Sequence, residues 1–277
     1  MTCLTDPACG WSWAAEPAVR RLMTEFDGEL RFTWRMGGLA REFPRDEQGR
    51  LRLAMHWLDI SEQGRMPVDP RLWIEGPLGS SYPAGIAVRA AAQQADDGGY
   101  AYLRRLREGI FCFRRKLDTT EALVEAAREA GLDVARFRID LGSHATLEEF
   151  GADLEAARDV PGEAREQDGV TVDGEQERLT FPSMVFEGED GTRRGLYGSH
   201  PYEACREAAE AAGARPSAGP RPDVPAALRR FGRMAAAEVE AVCDLPEPRA
   251  GAELWRLASE WRARPIRVLT GELWEPA

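Results

Sequence analysis

Long apolar runs are absent from the 277-residue sequence. No segment approaches the roughly 20 apolar residues that a transmembrane helix requires. The N-terminal stretch MTCLTDPACG has neither the basic segment nor the long apolar segment of a secretory signal peptide. We therefore expect a cytoplasmic protein that does not contact membranes.

Cysteine and histidine are scarce. The cysteines are odd in number and scattered, and no two of them form a CxxC pair. The histidines lie far apart in the sequence, and no Cys/His group has the spacing of zinc ligands. These patterns argue against a disulfide framework, and we expect no metal site. The residues concerned are Cys3, Cys9, Cys112, Cys205 and Cys243, with His56, His144 and His200.

Lysine occurs only at Lys116, and 47 acidic residues outnumber 36 basic ones, which leaves a net charge of −11. A chain with this charge repels a phosphate backbone at long range. The C-terminal part, 221–277, carries as many arginines as acidic residues and has no basic stripe. We therefore expect no nucleic-acid partner.

The N-terminal pattern predicts the first half of a βαβ unit. TCLTD is a short strand, and the apolar residues from Val19 to Phe26 fall at helical spacing on one face. Gly28 ends this helix, and LRFTWRM follows as a strand. A strand, a helix and a second strand in this order indicate a parallel sheet.

The middle of the sequence predicts a helical block over 62–158. Asp118 with Glu121, and Thr146 with Glu149, resemble capping boxes at two helix starts. The polar, acidic stretch 159–178 is predicted to be an exposed loop. RLTFPSMVFEG then predicts one strand with Pro182 at its start, followed by a short partner strand in RRGLYG.

The pattern after these strands predicts a helix with His200 as its N-cap, Pro201 in its first turn and Gly213 beyond its end. A Pro- and Gly-rich linker follows. The chain then predicts three helices and a terminal hairpin, the order of a winged helix. In the last helix Leu254, Leu257, Ala258 and Trp261 form an apolar stripe. Because the charge is balanced, we expect this module either to pack against the rest of the protein or to bind a partner protein.

Cys9 lies where a helix is predicted to begin, and the free N–H groups and dipole there stabilise a thiolate and lower its pKa. Ser12, one turn on, can donate a hydrogen bond to the sulfur but cannot attack a mixed disulfide. Cys9 would then act as a monothiol that a second thiol must release. A lone cysteine is otherwise most often buried and inert. Trp11 and Trp13 either shape a substrate groove or cover the helix.

Several stretches together resemble the DsbA-type thioredoxin-fold family, in particular its FrnE-like branch. They are DPACGWSW followed by EP and RRL, then GSSYPAGIAVRAA, YLRRLREGIF, GLDVARFRIDL, FPSMVF and YGSHPYEA, in the family's order over most of 1–214.

The C-terminal part resembles the tail of a subgroup that includes the YjbH/SpxH protease adaptors. The resemblance implies an α/β thioredoxin fold with a helical insertion domain and a small C-terminal winged-helix-like module. The predicted divisions are 1–61 with 176–214 for the thioredoxin-like domain, 62–175 for the insertion and acidic loop, and 221–277 for the module.

Two residues depart from the family pattern. Ser12 replaces the resolving cysteine, and Phe181 stands before Pro182 where many catalytic relatives carry Val or Thr. If the Pro182 peptide bond is cis, as the resemblance implies, the backbone of Phe181 is available to an extended substrate beside Cys9. Cys112 is the alternative source of a resolving thiol.

These features lead to two functional hypotheses. The first is a monothiol (CxxS) thiol-disulfide oxidoreductase that needs no resident cofactor. It acts on protein or small-thiol disulfides, with glutathione or another low-molecular-weight thiol as co-substrate. The alternative is a non-catalytic adaptor that holds a partner protein in the thioredoxin groove and on the C-terminal module. A glutathione-transferase-like activity is weaker, because such relatives carry serine at the first motif position. The catalytic residues would be Cys9, Ser12 and Pro182, and the substrate-binding residues Trp11, Trp13 and Phe181.

Overall fold

The computed structural model describes residues 1–174 and 176–277, and its first elements form the predicted βαβ unit. Strand β1 (Thr2–Thr5) pairs in parallel with β2 (Thr33–Met36). The connection consists of two helices, α1 (Gly10–Ala14) and α2 (Glu16–Glu25), instead of one. The break falls just before Pro17, whose nitrogen has no hydrogen to donate to a preceding turn.

The second half of the sheet comes from the end of residues 1–214, which we call the body. Strand β5 (Ser183–Glu187) lies antiparallel to β1 and to β6 (Arg193–Tyr197), which gives the order β2-β1-β5-β6. Helix α11 (Tyr202–Ala211) follows. Its N-cap is Pro201, so the prediction of His200 as the cap is wrong; the His200 ring lies 3.2 Å from the Tyr197 carbonyl oxygen instead.

Between the two halves the chain is helical, as predicted. The first of these helices is long and begins well before residue 62. The helices are α3 (Glu47–Gly64), α4 (Leu72–Glu75), α5 (Tyr82–Ala92), α6 (Tyr100–Arg107) continued by a π-helical turn (Glu108–Cys112), α7 (Thr120–Glu129), α8 (Val134–Leu141) and α9 (His144–Arg158). They surround one core that is continuous with the central sheet.

Both predicted capping boxes in this block are misplaced by one to three residues. Thr119 caps α7, and Asp118 instead accepts a hydrogen bond from the Gly79 N–H at 2.6 Å. Ser143 caps α9 by accepting from the N–H of Thr146 at 3.1 Å. Asp, Ser and Thr are all favoured N-cap residues, so a second residue of this kind nearby can take the position that the spacing predicts.

The stretch predicted as an exposed loop contains regular structure. It holds α10 (Gly162–Glu166) and an antiparallel pair, β3 (Val170–Asp173) and β4 (Gln176–Leu179). Strand β4 ends before the Phe181–Pro182 bond, so the single strand predicted through Pro182 is two strands. The end of the predicted insertion, residue 175, lies outside the described residues.

The C-terminal part has its own small core and a three-stranded sheet of order β7-β9-β8. Its elements are α12 (Val224–Phe231), β7 (Met234–Ala235), α13 (Ala236–Cys243), α14 (Arg249–Ser259), β8 (Ala263–Val268) and β9 (Gly271–Pro276). The three predicted helices and the hairpin are present. Trp261 is not part of the buried stripe: α14 ends at Ser259, and Trp261 is 88% exposed.

The C-terminal part is joined to the body by buried charge. Helix α13 packs against α2 and carries Glu238, which is fully buried. Its carboxylate lies 3.1 Å from the Arg20 guanidinium and 2.8 Å from that of Arg104. The buried charge cluster consists of Arg20, Arg104, Arg107 and Arg233 with Glu16, Glu108, Glu238 and Glu275.

Candidate functional site

Cys9 is the N-cap residue of α1, as the sequence predicts, but it is not open to solvent. The residue is 4% exposed, and its Sγ lies 3.6 Å from the carbonyl oxygen of Phe181, to which the thiol donates. Thiol chemistry at Cys9 therefore requires access that this arrangement does not give.

Burial and Ser12 act on the Cys9 thiol in opposite directions. Burial raises the pKa of the thiol above its ordinary value, although the Ser12 hydroxyl and backbone N–H act to lower it. The expectation of a lowered pKa is thus wrong in sign, because desolvation outweighs the helix start. Ser12 itself accepts a hydrogen bond of 2.8 Å from the hydroxyl of Thr5.

The Phe181–Pro182 peptide bond is cis and lies beside Cys9. The Phe181 ring does not face a groove: it is 2% exposed and packs against Gly37, where an added Cβ would lie 2.2 Å from the ring's Cζ. The guanidinium of Arg178 covers the ring at 4.5 Å from its centroid. Only the backbone of Phe181 is therefore available to a substrate. Its carbonyl oxygen already accepts a hydrogen bond from the Cys9 thiol.

The two tryptophans of the motif have different environments. Trp13 is 0% exposed, stacks on Phe111 with centroids 5.7 Å apart, and donates its indole N–H to the Pro67 carbonyl at 3.0 Å. It belongs to the core and contacts no surface groove. Trp11 is half-buried and, with Phe181 and His200, lines a small pocket of about 250 Å³ that Cys9 itself does not line.

All five cysteines are free and buried. Cys112, the alternative resolving thiol, donates to the Pro67 carbonyl with 3.4 Å between Sγ and O, and burial holds its pKa well above the ordinary value. Burial likewise raises the pKa of Cys3, Cys205 and Cys243 to about 12. None of these thiols is an exposed partner for Cys9.

Two charged residues near Cys9 were not identified from the sequence. Asp6, fully buried, accepts hydrogen bonds from the N–H groups of Ala8 and Leu39 and from the Ser81 hydroxyl, and burial raises its pKa. Arg107 donates to the hydroxyl of Thr5. Asp6 raises the pKa of Cys9 and Arg107 lowers it. The only feature of the sequence that could have pointed to Asp6 is its position in DPAC, and no sequence feature pointed to Arg107.

The described residues contain no group of three or more His, Cys, Asp or Glu side chains able to hold a metal ion. Among these same residues, no helix combines the length and apolar character needed to cross a bilayer.

Curated proteins similar over nearly the whole chain include two with the same name. The ClpXP adapter protein SpxH of Halalkalibacterium halodurans is 27% identical over 97% of this chain and 86% of its own length. The protein of that name from Bacillus subtilis is 25% identical over 98% of this chain and 86% of its own length.

Solved structures match about three quarters of this chain. A putative protein disulfide isomerase from Nitrosomonas europaea has a TM-score of 0.61 and 18% identity, and covers 76% of this chain and 94% of its own. The cytosolic disulfide reductase DsbM from Pseudomonas aeruginosa has a TM-score of 0.55 and 21% identity, over 76% of this chain and 92% of its own. At these identities the likeness is one of fold.

A family model described as thioredoxin (Thioredoxin_5) matches residues 3–162, more than half of the sequence. The order of strands, the cis proline and the solved neighbours agree with that match. The chain therefore belongs to the DsbA-like thioredoxin family that this model describes.

Proposed function

We propose that this protein is an adaptor that holds a partner protein, and that its thioredoxin fold serves binding instead of thiol exchange. One observation carries the proposal: the Cys9 thiol is buried and donates to the Phe181 carbonyl. An exchange enzyme needs an accessible thiolate. Here burial raises the pKa of the attacking thiol, and serine occupies the resolving position.

The full-length relatives support the same function. The match to proteins named ClpXP adapter SpxH runs through the C-terminal part as well as the body. We infer that 221–277 form a winged-helix-like module, since the order α12-β7-α13-α14-β8-β9 is that of such modules. The balanced charge of this module favours a protein partner. We further propose a cytoplasmic location and a role in delivering the partner to a protease of the ClpXP type.

The module's outer surface offers apolar contact area. Trp261 is 88% exposed, and Trp255 on α14 is 57% exposed. Tryptophan is enriched among the residues that dominate protein–protein binding energy. Trp261 is outside the module's buried core, so replacing it changes the surface alone, whereas the Trp255 ring also packs edge-to-face on the buried Trp274 with centroids 4.9 Å apart.

The adaptor role can be tested by measuring protein half-lives in cells of the source organism. Deleting the gene should lengthen the half-life of the partner, and the difference should vanish where ClpXP is inactive. A copy with Cys9→Ser should restore turnover as well as the natural sequence does, whereas Trp261→Ala should restore it less. Full restoration by Trp261→Ala with failure of Cys9→Ser would contradict the adaptor proposal.

The second candidate is monothiol exchange through Cys9, Ser12 and Pro182, with glutathione or a similar thiol as co-substrate. The observation that favours it is the place of Cys9 at the N-cap of α1 beside the cis bond before Pro182, with Ser12 acting to lower the pKa of the thiol. Incubation with a glutathione mixed disulfide and excess reduced glutathione is the direct assay. Turnover that disappears in Cys9→Ser would support this candidate, and equal rates in both proteins would remove it.

A further inference from the structure

A cavity of about 730 Å³ lies between the body and the C-terminal part, away from Cys9. It is bounded by the segment leading into β2, by α6, and by the turn between α12 and β7. This volume falls within the range of small-molecule sites, which are frequent at the junction of two structural units. Neither functional candidate above uses this cavity.

One wall of the cavity is a ladder of stacked aromatic rings. The rings of Phe32 and Trp34 lie 6.1 Å apart and 14° from parallel, and those of Trp34 and Tyr100 lie 4.9 Å apart and 21° from parallel. Trp34 and Tyr100 are buried, whereas Phe32 is half-buried and ends the ladder. Stacking on Phe32 would continue the ladder with a further flat ring.

Most charged groups around the cavity already have partners. Arg20 and Arg104 are bound to Glu238, and Arg230 is paired with Asp27 at 3.1 Å. The Asp97 carboxylate accepts the N–H groups of Gly99 and Ala101 at the start of α6. These groups therefore shape the cavity without being free to hold a ligand.

The lining groups that keep hydrogen-bonding capacity are mainly donors. Arg105 has one carboxylate neighbour, Glu108, at 3.7 Å, which is beyond hydrogen-bond distance. Arg31 is exposed and makes no ion pair within 1–174 and 176–277. The buried indole N–H of Trp34 finds no acceptor in the same residues. Asp96, an exposed carboxylate, is the exception.

We propose that this cavity binds a small planar aromatic anion, with its ring on Phe32 and its carboxylate or equivalent acidic group at Arg105 and Arg31. The aromatic wall selects a flat ring, and the surplus donors select an acceptor group with negative charge. This site is independent of the proposed adaptor function, because it requires neither Cys9 nor a protein partner.

The test is calorimetric titration of the full chain with 1-naphthoate and with 1-naphthylmethanol, which has the same ring system without the charge. We expect saturable binding of the anion with 1:1 stoichiometry, and binding of the neutral compound at least tenfold weaker. Equal affinity for the two compounds, or no saturable heat with the anion, would overturn the proposal.

Variants locate the site. Phe32→Ala and Arg105→Gln should each weaken 1-naphthoate binding at least fivefold. Arg138→Gln, an exposed arginine on α8, and Trp261→Ala, an exposed ring on the C-terminal part, should leave binding within twofold. If Trp261→Ala lost 1-naphthoate binding while Arg105→Gln kept it, the compound would bind at the outer surface, and the cavity would not be the binding site. Circular dichroism confirms that each variant is folded.

Discussion

The thiol of Cys9 donates to the carbonyl oxygen of Phe181, a residue 172 positions later in the chain, with 3.6 Å between sulfur and oxygen. A donating thiol is a protonated thiol. The contact between the motif cysteine and the segment at the cis proline therefore favours the unreactive form, and its consequences can be measured.

The alkylation rate of Cys9 should rise only at alkaline pH. Burial raises the pKa of this thiol, so the midpoint of rate against pH should lie above the value of about 8.5 for a free cysteine. Mass spectrometry of the peptide that contains Cys9, after short exposure to iodoacetamide, separates it from the other four thiols. A midpoint below that of a free thiol would contradict the buried arrangement. The Cys9→Ser variant, which cannot be alkylated at this position, gives the background signal.

Replacing Ser12 by alanine should affect both stability and the thiol. The hydroxyl of Thr5 loses its acceptor, which we expect to cost about 1 kcal/mol in the free energy of unfolding. The midpoint for Cys9 should move further upward, because a hydroxyl that lowers its pKa is gone. Ser259→Ala, at an exposed helix end, is the matched control and should leave both urea unfolding and the Cys9 midpoint unchanged.

Glu238→Gln should destabilise the protein strongly. Removing one charge from a buried ion cluster leaves its partners, here Arg20 and Arg104, uncompensated, at a cost of about 3–5 kcal/mol. Glu253→Gln removes a carboxylate that pairs with the half-exposed Arg256, and should cost no more than about 1 kcal/mol. Urea unfolding of the two variants makes the comparison, and equal losses would refute a structural role for the cluster.

Acid should destabilise the protein through Glu16. Burial alone would raise the pKa of this carboxyl, but Arg104, Arg107 and Arg20 lower it to about 2, against an ordinary value of 4.5. The stabilisation is present above the unfolded-state pKa and is lost as pH falls toward 2, by about 3 kcal/mol in all.

The pH dependence of unfolding between 5 and 2 tests this assignment. Glu16→Gln should be less stable at neutral pH and should lose less on acidification. Asp6 works in the opposite direction, because its pKa is raised in the folded state and protonation relieves it. A Glu16→Gln protein with an unchanged acid slope would show that other carboxyls control acid unfolding.

The sequence predicted elements whose signals are local. The helix face from Val19 to Phe26, the strand through Trp34 and the helices of the C-terminal part each depend on spacing within one segment, and all are present. The hairpin of β3 and β4 was missed although Val170 and Val172 alternate with polar residues and Asp173-Gly174 is a turn signal. The signal is short, and the partner strand β4 is mostly polar, so the acidic composition of the stretch favoured a loop.

The environment of the site could not be predicted because distant residues create it. The expected low pKa of Cys9 followed from the start of α1, but the desolvation that reverses it depends on contacts such as that with Phe181. Trp13 is buried because Pro67, Arg104 and Phe111 enclose it. No spacing within DPACGWSW reports such neighbours. The cis bond before Pro182 was anticipated because the family resemblance, and not local physics, supplied it.

The shared charge cluster also decides what kind of folding unit this chain is. A fragment that stopped at the end of α11 would keep three buried arginines and two glutamates, and would lose the carboxylates of Glu238 and Glu275. Without Glu238 and Glu275 the arginines that remain in the buried charge cluster outnumber its glutamates, so we expect the body to be less stable without the tail. Heating should then melt body and tail in a single cooperative transition, and a substitute tail that lacks these two glutamates should lower the melting temperature.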